Sequence, residues 1–103
     1  VDIAAPYGTE IYAADAGTVV ECTRHWSWGN YVKIDHGNGY KTLYAHMSAQ
    51  AVHVDDTVTQ GQVSGYVGNT GNSYGNHCHF EMYYNNRLFS AREVFPDMPE
   101  WNQ

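Results

Sequence analysis

Along most of the chain, apolar and polar positions alternate with a period of two, and the alternation is broken at short intervals by Gly, Asn, Asp or Pro. That period sends successive side chains to opposite faces of an extended strand, so the chain reads as short strands joined by tight turns. The pattern predicts strands at about 10–13, 17–25, 30–36, 41–47, 52–54, 57–67, 77–84 and 87–89. Asn38-Gly39, between "YVKIDH" and "YKTLYAH", suits a type I′ hairpin turn because both residues tolerate positive φ, and Asn85-Asn86 can do the same between "EMYY" and "RLF". One helix signal stands out, "SAREVF", where Ser90 and Glu93 have capping-box spacing and Pro96 stops the helix after a turn or two. The expectation is a mostly β single domain, residues 1–103, built on an antiparallel β-sheet with a cleft and one short C-terminal helix; the tail "PDMPEWNQ" reads as irregular.

The same alternation sorts the chemistry. In "HCHFEMYY", His77, His79 and Glu81 project from one face, while Cys78, Phe80 and Met82 project from the other, apolar one. Two imidazoles at i and i+2 can approach one metal ion, or one can ligate while the other handles protons. An isolated His-x-His on a strand is also an ordinary polar face. In "TLYAHMS", Tyr44 and His46 alternate against Leu43, Ala45 and Met47, giving a second strand with a histidine on its polar face. Asp2, beside Ile3 and the turn signal "APYG", is a third contributor, and Asp, His and His from separate segments make a plausible zinc site. Cys78 as a thiol nucleophile fails on the alternation, because it points away from both imidazoles. Glu81 reads as a structural residue in preference to an outer partner of the site.

Composition narrows the classes. The chain has 103 residues, 5 basic against 11 acidic, for a net charge of −6, and no Lys/Arg cluster to follow a phosphate backbone, so nucleic acid is not an expected partner. No apolar run approaches the ~20 residues of a membrane helix. The chain opens on "VDIAAP" without an initiator Met and reads as a mature product or an excised domain. Cys22 and Cys78 allow one disulfide in an exported protein or two reduced core thiols. His25 in "RHWSWGN", His36 before a turn and His53 between two valines read as surface or outer-layer residues. Tyr7, Trp26, Trp28, Tyr74 and Tyr84 are candidates to line a peptide groove, although most aromatics in a small β domain are core. The "TGNSYGN" loop leads directly into the histidine strand. There is no H-E-x-x-H, G-x-S-x-G or P-loop.

"VDIAAPYGTEIYAADAGTVV", "GNYVKIDHGNGYKTLYAHMS" and "VTQGQVSGYVGNTGNSYGNHCHFE" together resemble the lysostaphin-type zinc endopeptidases, the LytM-domain family, over residues 1 to 90. The resemblance implies a secreted hydrolase that cuts stem or cross-bridge peptides of bacterial peptidoglycan with Zn2+. It implies action outside the cell, in the cell wall or periplasm, or on a phage virion, by a monomeric catalytic domain. Carried onto this chain, Asp2 and His79 are metal ligands, and His46 and His77 are the non-ligand catalytic histidines. The family's first ligand, a histidine in H-x-x-x-D spacing, falls four residues before Asp2 and outside the chain, so the expectation is a domain truncated at its N-terminus relative to the family. Two other readings compete. One is a non-catalytic relative that binds wall or activates an amidase, disfavoured because Asp2, His46, His77 and His79 are all present. The other is a biotinyl- or lipoyl-type carrier suggested by "VDDTVTQGQVSGYVG", disfavoured because no lysine occupies the matching turn.

Overall fold

The computed structural model describes residues 2–71 and 75–89. Among the described residues nine strands form one sheet: β1 (Asp2–Ala4), β2 (Glu10–Tyr12), β3 (Gly17–His25), β4 (Gly29–Gly37), β5 (Tyr40–Gln50), β6 (Thr57–Val58), β7 (Val63–Val67), β8 (His77–Tyr84) and β9 (Arg87–Phe89). The main path runs β1-β8-β5-β4-β3-β6, with β7 joined to β5, β2 to β7, and β9 to β8, all antiparallel. The expected antiparallel β domain is therefore present. The expected helix at "SAREVF" lies outside the described residues.

Both hairpin turns follow their dipeptides. Asn38 and Gly39 have φ of 53° and 87°, and Asn85 and Asn86 have 49° and 64°, so each pair supplies the two positive values a type I′ turn needs. Two predicted strands differ. Residues 52–54 form no strand and lead into a turn closed between His53 and Asp56, in which the Asp56 carboxylate accepts the His53 N–H at 2.8 Å and Asp56 N–H returns to the His53 carbonyl at 3.1 Å. The run 57–67 is split, because Thr59 and Gln62 close a turn on each other with Gly61 at φ 81°. Strand β1 was not anticipated: three residues before a proline are too few to display a period.

Strand β5 organises the molecule by changing partner along its length. Tyr40–Ala45 pair with β8, whereas Met47–Gln50 pair with β7, and β4 pairs along the other side from Tyr40 to Met47. One face of the sheet closes over the main core of Ile11, Val19, Val32, Ile34, Tyr44, Met47, Val58, Val67 and Cys78. Burial of these side chains is the principal force holding the strands in register, at about 1.5–3 kcal/mol for each large one. The opposite face carries a smaller cluster, Tyr31, Leu43 and Ala45, flanked by Trp28 and Tyr83. The polar site is built beside this second cluster.

Candidate active site

Strand pairing brings the acidic residue to the histidines. In the β1–β8 ladder Asp2 lies opposite His79 and Ala4 opposite His77, while Ala45 of β5 faces His79 from the other side. Asp2 Oδ1 consequently sits 2.6 Å from His79 Nδ1 and 3.6 Å from His77 Nε2. His79 Nε2 is 2.9 Å from Glu81 Oε2, and the Tyr83 hydroxyl donates to Glu81 Oε1. The imidazoles of His46 and His77 have centroids 4.9 Å apart, and those of His46 and His79 are 6.2 Å apart. The four residues that the resemblance marks are thus brought together from three strands.

His46 reaches this face by a route that alternation does not predict. Strict alternation would group it with Tyr44, but Tyr44 is in the main core against Phe80, at 5.4 Å between ring centroids, and Leu43 and Ala45 lie on the histidine side, facing Glu81 and His79. Between the pairs Val32↔Tyr44 and Asn30↔Met47, two residues of β5 oppose the single residue Tyr31 of β4. This is a β-bulge, and within it His46 takes φ 61°, a left-handed conformation uncommon outside glycine. The bulge turns Ala45 and His46 to the same face and returns Met47 to the core. The His46 N–H is held by the Trp28 carbonyl at 2.7 Å.

Hydrogen-bond partners assign the ring protons. A carbonyl oxygen can only accept, so His46 Nδ1 donates to the Thr70 carbonyl at 2.7 Å and His77 Nδ1 donates to the Gly75 carbonyl at 2.7 Å. His79 has a carboxylate at each nitrogen. Its hydrogen bond with Glu81 raises its pKa above the ordinary value, burial opposes this, and Asp2 adds to the rise. Burial pushes the Asp2 carboxyl up, but the His79 hydrogen bond and the charges of His77 and His79 outweigh it and leave the pKa lowered. Glu81 is lowered chiefly by the His79 hydrogen bond, against burial and with help from Tyr83. Burial lowers His46, the Thr70 carbonyl resists, and the neighbouring imidazoles add to the lowering.

Among the described residues, no three His, Cys, Asp or Glu side chains form a group arranged to hold a metal ion. Asp2 Oδ1 and His79 Nδ1 are the pair whose chemistry suits one, a carboxylate oxygen and a ring nitrogen facing each other at 2.6 Å. Cys78 is buried on the opposite face, with its thiol pushed up to about 12 by burial, as the alternation required. Cys22 and Cys78 are both free thiols. His25 accepts N–H groups of the turn after β3, His36 bridges the Ala16 carbonyl and Thr42 at 2.9 and 2.6 Å, and His53 stands outward beside Asp56. Of the aromatics, Trp28 packs on Tyr31 next to the site, Trp26 and Tyr7 are exposed, and Tyr74 lies outside the described residues. Tyr84 stacks on Tyr40 seven residues along β8 from His77, roughly 23 Å away at the rise of a strand. One site member escaped sequence reasoning, the carbonyl of Thr70, which leaves no side-chain signal; Glu81, expected to be structural, is instead bonded to His79.

Residues 1–91 match Peptidase family M23. The chain belongs to this family. Across 93 residues it is 42% identical to Peptidoglycan DD-endopeptidase ShyA of Vibrio cholerae, covering 90% of the chain and 22% of that protein. A zinc containing peptidase from Vibrio cholerae superposes with a TM-score of 0.83 at 36% identity, over 85% of this chain and 27% of that one. The catalytic domain of lysostaphin from Staphylococcus simulans superposes with a TM-score of 0.84 at 28% identity, over 94% and 77%. The chain spans about a quarter of the length of the curated relatives it matches. These M23 likenesses agree with the lysostaphin-type resemblance read from the motifs.

Proposed function

We propose that the chain is the peptidase domain of a zinc-dependent endopeptidase that hydrolyses stem or cross-bridge peptide bonds of bacterial peptidoglycan. The observation that carries this is the meeting of Asp2, His46, His77 and His79 on one sheet face, with the bulge of β5 aiming His46 into the group. The family membership and the named peptidoglycan endopeptidase among the relatives support the substrate class.

Asp2 and His79 would hold the zinc, with a histidine four residues before Asp2 as the third protein ligand in the family's H-x-x-x-D pattern. Bound there, zinc supplies a Lewis acid that polarises the scissile carbonyl and acidifies a water. Glu81 holds a proton on His79 Nε2, so that Nδ1, bonded to Asp2 in this structure, would be the nitrogen that gives up its proton to ligate. His46, a donor at Nδ1 and depressed in pKa by burial, presents Nε2 as a neutral base over the physiological range. His77 donates its Nδ1–H to the Gly75 carbonyl and is buried beside Asp2, so its Nε2 lone pair would orient water as an acceptor and, once it has taken up a proton, would donate to the developing oxyanion. Such a substrate places the action in the cell wall or periplasm, or at a virion, by a monomeric domain.

The test is zinc content, together with mass spectrometry of fragments released from purified peptidoglycan by the full-length protein, with His46→Ala and His79→Ala as comparisons. Stoichiometric zinc and new peptide termini, lost in both variants, are expected. A folded, zinc-treated protein that releases no peptide would refute the reading.

A further inference from the structure

Thr70 sits in the loop between β7 and β8, and both its carbonyl and its hydroxyl engage the bulge. Its carbonyl accepts the His46 Nδ1 proton at 2.7 Å. Its hydroxyl donates to the Met47 carbonyl at 2.6 Å and accepts the Asn30 N–H at 3.1 Å. The residue is therefore tied to the backbone immediately after His46, and that tie aims its carbonyl at the ring. The approach is possible because position 29 has no side chain: a Cβ there would stand 2.4 Å from both the backbone carbon and the Oγ1 of Thr70. Gly29 also has φ 65°, which a side chain rarely adopts.

We propose that Thr70 is a positioning residue that locks His46 in its Nδ1–H tautomer, leaving Nε2 as the lone-pair nitrogen of a ring that lies beside those of His77 and His79. The reason is electronic. A neutral imidazole has one proton, and an acceptor fixed at Nδ1 decides which nitrogen carries it. Without the anchored carbonyl, the Nε2–H form becomes populated, and that form has no lone pair to receive a proton at this edge. This rests on the reading that His46 handles a proton in the hydrolysis, while the tautomer itself can be measured without any reaction.

The experiment uses the full-length protein with 15N-labelled histidine. Ring-nitrogen NMR shifts report the His46 tautomer, and kcat and KM on peptidoglycan fragments are measured in parallel for Thr70→Val and Thr70→Ser. Wild type is expected to show Nδ1–H at His46. Thr70→Val is expected to show a mixture, with kcat reduced roughly 10- to 100-fold, at or below the lower end of proton-transfer contributions because the ring is displaced and not removed, and KM nearly unchanged. Thr70→Ser, which keeps the hydroxyl anchor, should resemble wild type in both readouts. A wild-type His46 protonated at Nε2 overturns the proposal even if no variant folds. A Thr70→Val protein with an unshifted tautomer overturns it as well, whatever its kcat. A tautomer that responds as expected while His46→Ala retains full activity would instead overturn the catalytic reading and leave the lock standing.

Discussion

Glu81 offers the sharpest quantitative test of how the site is built. Its Oε2 lies 2.9 Å from His79 Nε2, and its other oxygen takes the Tyr83 hydroxyl, so one carboxylate fixes the orientation and tautomer of the proposed ligand. Tyr83 is itself held by Lys33, whose Nζ lies 4.6 Å from the ring centroid and 3.7 Å from Glu21. Replacing Glu81 by Ala removes the partner of Nε2–H and leaves Asp2 as the remaining partner of the ring, which favours the proton on the nitrogen that should bind metal. Losing an outer partner of this kind costs 10- to 100-fold in metal affinity, or about 1.4–2.7 kcal/mol. Glu81→Gln, which retains an oxygen but not the charge, should fall between wild type and Ala. The assay is competition for zinc against a chromophoric chelator at pH 7.5, with circular dichroism to verify the fold. Superimposable competition curves for wild type and folded Glu81→Ala would refute the reasoning.

In the metal-free protein, His79 is raised from its ordinary 6.5, so its contribution to stability is complete below 6.5 and is lost as pH rises through the folded value. Asp2 and Glu81 are lowered from 3.8 and 4.5, so theirs is present above those values and lost as pH falls through the lower folded ones. Urea unfolding in EDTA should therefore find the stability difference between wild type and Glu81→Ala largest between about pH 4.5 and 6.5, and a difference that grows from pH 6 to 9 would contradict this. Tyr44→Phe removes the hydroxyl that accepts the Ala14 N–H at 2.9 Å and pairs with Thr42 at 2.6 Å, both in or near the core. The cost is about 1–3 kcal/mol, read as a fall in Tm of at least ~4 °C, and an unchanged Tm would count against the network. Leu43 is fully buried opposite Glu81, and Leu43→Ala should lose about 2–5 kcal/mol in chemical denaturation and weaken zinc binding through the slackened floor beneath Glu81; a loss under ~1 kcal/mol would mean the cluster collapses to fill the space.

The strand His77–Tyr84 was legible because its two faces differ in kind, with histidine and glutamate against cysteine, phenylalanine and methionine, and the period alone separates them. The Asn38-Gly39 turn was legible because backbone angles restrict its residues. His46 was found as a candidate, but the grouping with Tyr44 was wrong, since a bulge is a property of two strands and their register. Nothing in "TLYAHMS" says that two residues will oppose one. The Thr70 carbonyl was hidden for a related reason: every residue has one, and only the fold selects which carbonyl meets a ring. Strand β1 and the Asp2–His79 contact lie at the same limit, joining positions 77 residues apart by pairing that no local pattern encodes.

The bulge gives β5 a reading frame. Because two residues oppose one at Tyr31, removing His46 would restore alternation from Tyr44 to Met47 and keep the ladders on either side of the bulge. Such a deletion would leave a sheet as well paired as before, but with no imidazole delivered to the histidine face at that point. Loops such as the one at 59–62 can change length without moving any member of the site. In β5, length is itself information, and one codon separates a strand that presents His46 from one that is merely stable.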